Sequence, residues 1–238
     1  MSDYNKIGVI ADIHSNLPAL EAVLDDMPPA VDEIVCLGDI IGYNAQPKAC
    51  LEIIRDRCSH SVQGNHDRDV VDPGRYRGSL YTLSGGNRAV MVGLEVAQRQ
   101  LSDADIDWLT ALPPTKFIHD ERILLCHSHP EETDTYVHKG KFPSVATYMK
   151  PTTDVLLLGH THEQAAVDMS KFDRHGWVVN PGSVGQPRDG HKAKYAVLTL
   201  GAEDTNVELR SVSYPVSEII ARNEECDLPT STSDRLKE

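Results

Sequence analysis

Five apolar runs in this chain each end in residues that can hold a cation. Ile7-Gly8-Val9-Ile10-Ala11 leads into Asp12-Ile13-His14, and Ile34-Val35-Cys36-Leu37 into Gly38-Asp39. Ser61-Val62-Gln63 leads into Gly64-Asn65-His66-Asp67, Ile123-Leu124-Leu125-Cys126 into His127, and Val155-Leu156-Leu157-Leu158 into Gly159-His160-Thr161-His162. Apolar runs this short read as buried strands. In open α/β sheets, ligands bind at the carboxyl ends of strands. A carboxylate at the end of a buried strand is costly unless something positive meets it. Any one of these groups alone caps a turn as readily as it binds an ion. Site assignment rests on the constellation instead. Asp12, His14, Asp39, Asn65, His127, His160 and His162 are too many donors for one tetrahedral ion. They suit two ions sharing Asp39, the arrangement used for in-line displacement at phosphorus.

The rest of the pattern predicts alternating strands and helices. Strands are expected over 6–12, 33–38, 60–63 and 154–158, with a hairpin of 116–119 and 122–126. Helices are expected from Leu17 to about Met27, over 46–57, 103–111 and 143–149, and from Pro215 to Asn223. Asn16 or Ser15 caps the first helix and Pro28-Pro29 stops it. Beyond His162 the chain reads as antiparallel strands, at 164–169, 176–180, 194–200 and 206–214. Residues 68–100 read as an insertion roofing the site, with a helix from Asn87 onward. The expected fold is α/β, a four-layer αββα sandwich of two mixed sheets flanked by helices. Residues 1–226 form one domain, and 227–238 a polar, frayed tail.

The formal charge of −13 argues against a duplex nucleic-acid surface, which needs clustered Lys and Arg. Two divalent ions beside Asp12 and Asp39 would leave the site itself at about +2, so it would attract phosphate locally. No 18-residue apolar stretch and no secretory leader pattern is present, so a cytoplasmic location without membrane attachment is expected. The five cysteines are scattered and read as reduced thiols. Cys126 should face away from His127, because adjacent strand residues point to opposite faces.

Asp12-x-His14, Gly38-Asp39, Gly64-Asn65-His66-Asp67, His127 and Gly159-His160-x-His162, in this order, resemble the calcineurin-like metallophosphoesterase superfamily across residues 6–185. Gly38 to Tyr43 and Asn180 to Arg188 look like signatures of its small prokaryotic phosphodiesterase-like branch. The resemblance implies that Asp12, His14 and His162 hold one divalent transition-metal ion and that Asn65, His127 and His160 hold a second, with Asp39 bridging. It implies manganese foremost, with iron, zinc, nickel or cobalt as alternatives. It places His66 beside the phosphate as general acid or charge stabiliser, making His66, Asp39 and Asn65 the catalytic candidates. Arg188 and Arg68 are candidates for holding a phosphate oxygen, although solvated surface charges are the plainer reading of both.

Two positions depart from the family pattern. Many members carry an acid, paired with the histidine of the Gly-Asn-His motif, where this chain has Gly42. Many also have glycine where this chain has Ser128. The resemblance implies hydrolysis of phosphodiesters or phosphomonoesters of small or nucleotide substrates. A metal-binding scaffold without turnover and a nuclease are the alternatives, and a homo-oligomer is left open.

Overall fold

The computed structural model describes residues 5–72, 85–202 and 204–237. The first sheet has the order β10-β9-β1-β2-β3. Its strands are β1 (Asn5–Ile10), β2 (Glu33–Cys36), β3 (His60–Ser61), β9 (Ala193–Leu200) and β10 (Thr205–Val212). β1, β2 and β3 run parallel, and β9 and β10 complete the sheet antiparallel. The second sheet has the order β4-β5-β6-β8-β7. Its strands are β4 (Thr115–Ile118), β5 (Ile123–Cys126), β6 (Val155–Leu157), β7 (Ala165–Asp168) and β8 (Trp177–Asn180).

Apolar residues from the two sheets meet in the middle. Ile7, Val9, Val35 and Leu37 pack in one cluster with Ile123, Leu125, Val155, Leu157 and Val179. The alternate residues face outward, as the two-residue period of a strand requires. Ile10, Ile34 and Cys36 pack under α1 (Leu17–Asp26) and α2 (Pro47–Arg57). Leu124, Cys126, Leu156 and Leu158 pack under the short α6 (Phe142–Val145). The result is helix, sheet, sheet, helix: the expected four-layer αββα sandwich of two mixed sheets. Cys126 lies in the outer layer, away from His127, as alternation requires.

The helices obey local rules. Asn16 Oδ1 accepts the Ala19 N–H at 3.2 Å to cap α1, and Met27 turns extended before Pro28. α3 (Asn65–Val71) starts inside the Gly-Asn-His motif. In α5 (Asp103–Ala111), Asp105 reaches back to the Ser102 backbone N–H at 2.9 Å.

Two expectations need correction. The strands after His162 are not all antiparallel: β8 pairs parallel with β6, and only β7 turns back on it. The tail is not frayed. Residues Thr230–Arg235 form a helix, α8, and Leu228, Thr232 and Leu236 are buried at helical spacing. That stripe docks on α4 (Gly85–Gln100) and on α7 (Val216–Glu225). Residues 73–84 of the expected roof lie outside the described residues.

Candidate metal centre

The strands end between zero and three residues before the first donor each one carries, and at five of the seven donors the chain takes a backbone conformation that side chains disfavour. Asp12, His14, Asp39, His160 and His162 all have positive φ, between 47° and 66°. Such residues cost about 1–3 kcal/mol each and persist only where the surroundings over-determine them. Here the loops fix one another. The amides of Asp12, His14 and Ser15 each donate to a carbonyl of 38–40 at 3.0 Å, and Gly185 N donates to Asp12 O at 3.0 Å. A Cβ on Gly185 would stand 1.8 Å from Ile13 O, and one on Gly64 2.2 Å from Asp39 N, so only glycine lets these loops close.

Two buried groups of donors result. One is Asp12, His14, Asp39 and His162, and the other Asp39, His127 and His160, with each group's ligand atoms within 4.8 Å of one another. Asp39 belongs to both. Its Oδ2 lies 3.7 Å from His14 Nε2 on one side and 3.4 Å from His127 Nε2 on the other. Its Oδ1 accepts the His66 backbone N–H at 2.8 Å. Asn65 Oδ1 joins the second group, 3.1 Å from His127 Nε2.

The outer ring nitrogens determine what the inner ones can do. Nδ1 of His14, His127 and His162 faces the carbonyls of Ile41, Leu37 and Gln186 at 3.2, 2.8 and 2.6 Å. A carbonyl can only accept, so each Nδ1 carries the proton and each neutral Nε2 presents a lone pair inward. His14 Nε2 and His162 Nε2 then face each other at 3.0 Å, lone pair to lone pair. His127 Nε2 faces the Asn65 oxygen at 3.1 Å, a contact that either a ring proton or a cation satisfies. The His14–His162 contact is not attractive without a positive charge between the partners. The donor set therefore fits divalent cations, and the N/O chemistry suits manganese, iron, cobalt, nickel or zinc.

The electrostatics point the same way. Burial, with the Asp39 charge adding to it, pushes Asp12 up to about 7, although His127 opposes the shift. Burial also opposes ionisation of Asp39, but His127, His66 and His14 override it and hold the carboxyl well below its ordinary range. Burial alone would lower His127, yet the Asp39 carboxylate raises it to about 9. Burial and a neighbouring imidazole lower His14, His162 and His160, the last to about 4. Without a metal, the protein places one positive charge at His127, in the middle of the donors. Burial pushes the Cys126 thiol up to about 12, so it stays protonated and offers no thiolate.

His66 sits at the rim of the donors, with Nε2 4.0 Å from Asp39 Oδ2. Burial, then the charges of His127 and Arg188, lower its pKa against the pull of Asp39. Its Nδ1 has no hydrogen-bond partner among the described residues. A Cβ on Gly42 would stand 2.5 Å from that nitrogen, so a side chain at this position would meet it directly. Asp67 is no substitute. It accepts from the amides of Ile40, Ile41 and Gly64.

Arg188 is exposed, with its guanidinium carbon 6.0 Å from the centre of the Tyr136 ring. Its charge lowers the pKa values of Asp12, Tyr43, His66 and His162, so it lies in the neighbourhood of the donors. Arg68 instead pairs with Asp134. Asn180 and Ser183 organise the loop: Asn180 donates to Gly159 O at 2.8 Å, and the Ser183 hydroxyl to Asp12 O at 2.8 Å.

Sequence reasoning overlooked three contributors. Tyr43 sets its ring edge-on to His14 at 4.7 Å. Tyr136 lies against His160, with ring centres 4.2 Å apart. Asn44 donates to His14 O at 2.8 Å and accepts from Asn223 of α7 at 2.9 Å. Tyr43 stands at the end of the Gly38–Tyr43 signature but carries no role there, and nothing in the sequence signals Asn44 or Tyr136.

Comparisons with known proteins give the family and the fold. The calcineurin-like phosphoesterase superfamily domain matches residues 6–203. An uncharacterised protein of Methanocaldococcus jannaschii is 30% identical over 247 residues, covering 97% of this chain and 96% of that one. The crystal structure of a metallophosphoesterase from Sphaerobacter thermophilus superposes with a TM-score of 0.77 at 29% identity, covering 98% of both chains. A hypothetical protein from Pyrococcus horikoshii shares the fold, with a TM-score of 0.79 at 20% identity over 97% of both chains. The strand-end donors and the match over residues 6–203 together lead to one assignment: this chain belongs to the calcineurin-like phosphoesterase superfamily.

Proposed function

We propose that the protein is a two-metal phosphoesterase that hydrolyses phosphodiester or phosphomonoester bonds of small organic or nucleotide substrates. The observation that carries this reading is the sharing of Asp39 between two buried donor groups, in one of which the His14 and His162 Nε2 atoms face each other. Asp12, His14 and His162 would hold one ion, Asn65, His127 and His160 the other, and Asp39 both. When bound, the ions activate water and offset charge on the phosphoryl oxygens. Manganese is the first candidate for both positions.

The chain's own groups have separate tasks. The carbonyls of Ile41, Leu37 and Gln186 fix the ring orientations of three histidines, the role of outer-shell partners at metal sites. His66, held by its backbone bond to Asp39, offers an N–H to the leaving oxygen. Arg188 faces the incoming phosphate from the rim.

The test is a panel of aryl diester, aryl monoester and dinucleotide substrates assayed after chelation and again after adding manganese. The reading predicts turnover that disappears with chelation and returns with the metal. Stoichiometric metal binding with no turnover of any ester would instead make the protein a scaffold.

A further inference from the structure

Three large apolar side chains are exposed among the described residues: Tyr136, Phe172 and Leu209. Only Tyr136 stands at the metal centre. One side of its ring leans on the His160 ring at 4.2 Å with a tilt of 33°, while 45% of the residue's surface remains exposed. His138 stacks against the same ring, with centres 6.1 Å apart and the planes inclined by 13°. Arg188 reaches the same ring, and among the described residues no carboxylate pairs with its guanidinium. The neighbouring Asp189 is taken by Lys194.

An exposed aromatic ring at the edge of a polar centre is an unfavourable surface unless something covers it. The shape of the site limits what can. A phosphoryl group placed among the Asp39 donors would have Arg188 and Tyr136 at its outer side. A guanidinium can hold a phosphate oxygen and lie over an aromatic ring at the same time. The exposed part of the ring offers an apolar, aromatic surface to the ester group.

We propose that Tyr136 and Arg188 form a clamp at the mouth of the site that selects phosphoesters bearing a planar aromatic group, a nucleobase or an aryl ring, over aliphatic phosphoesters. The inference rests on the phosphoesterase reading and names the substrate class for that site. Arg188 supplies charge to the phosphate of any ester. Tyr136 supplies a stacking surface that only an aromatic group can use.

The test compares kcat/KM for a nucleotide ester and an alkyl ester in the metal-loaded wild type and in Tyr136→Phe, Tyr136→Leu and Arg188→Gln. Tyr136→Leu should lower the nucleotide-to-alkyl ratio about tenfold, within the range for loss of one base–aromatic stack. Tyr136→Phe should hold the ratio within about twofold, because the stacking face is retained. Arg188→Gln should raise KM for both esters. Binding of a nucleoside monophosphate, followed by calorimetry, should weaken about tenfold in Tyr136→Leu without any need for turnover. An unchanged ratio and an unchanged nucleotide affinity in Tyr136→Leu would overturn the clamp. Absence of turnover on every ester by metal-loaded wild type would overturn the phosphoesterase reading instead, leaving the nucleotide-binding result to judge the clamp by itself.

Discussion

At Gly42 the absence of a side chain decides the chemistry of its neighbour. His66 Nδ1 lacks the carboxylate that would hold a proton on the ring, and burial lowers its pKa further. The imidazole is therefore neutral at pH 7 and donates its N–H weakly. Aryl leaving groups depart with little protonation, whereas alkyl leaving groups need it. His66→Ala should cost alkyl-ester turnover about 10²-fold, the low end for general-acid help, and aryl-ester turnover clearly less. Equal losses on the two esters, measured as kcat/KM, would leave His66 as a positioning group.

His127 makes a second prediction at this scale. Its pKa in the metal-free protein lies above the ordinary value, at about 9, so it is protonated at pH 7.5. His14, His160 and His162 are shifted the other way and are already neutral there. Metal binding at pH 7.5 should therefore release about one proton from His127, and apparent affinity should fall as pH drops below 9. Calorimetry in buffers of different ionisation enthalpy reads this directly. Release of no protons would contradict the charge assignment at His127.

The elements show how the donors are held and how much of that the sequence could tell. Five strand ends with their polar residues were legible, because the apolar runs and the Gly-Asp and Gly-Asn-His turns lie within a few residues of each other. The layer order followed from the same alternation. The parallel pairing of β8 with β6 was not legible, since pairing direction depends on a crossover and not on the composition of either strand. The docked tail was hidden because only Leu228 and Leu236, eight residues apart in a polar stretch, mark its buried stripe, and the third member is Thr232.

The tie from α7 to the metal centre spans residues far apart in the chain: Asn223 donates to Asn44, and Asn44 to the His14 carbonyl. Asn223→Asp keeps the shape but replaces the donor with an acceptor facing Asn44 Oδ1. Metal affinity should fall about tenfold, the lower end for loss of an outer-shell partner. Unchanged affinity in a titration of the metal-free variant would show that α7 supports the fold alone.

For the whole molecule, the excess of acids and the chemistry of the centre pull in opposite directions. The chain carries −13, and its donor centre sets the Asp39 carboxylate against His127, so bound divalent ions would turn that centre positive. The sandwich allows this because both sheets deliver their strand ends to one place, the first carrying Asp12, His14, Asp39 and Asn65, the second His127, His160 and His162. The family domain spans 6–203, while the chain beyond it supplies Asn223 and the helix packed on α4.

The central claim is that Asp39 joins two metal positions. The most direct measurement is elemental analysis of metal content in reconstituted wild type and in Asp39→Asn, alongside turnover of one aryl diester. The account predicts about two divalent ions per wild-type chain, one or none in Asp39→Asn, and turnover lost with them. Asp39→Asn retaining both ions and full turnover would contradict it.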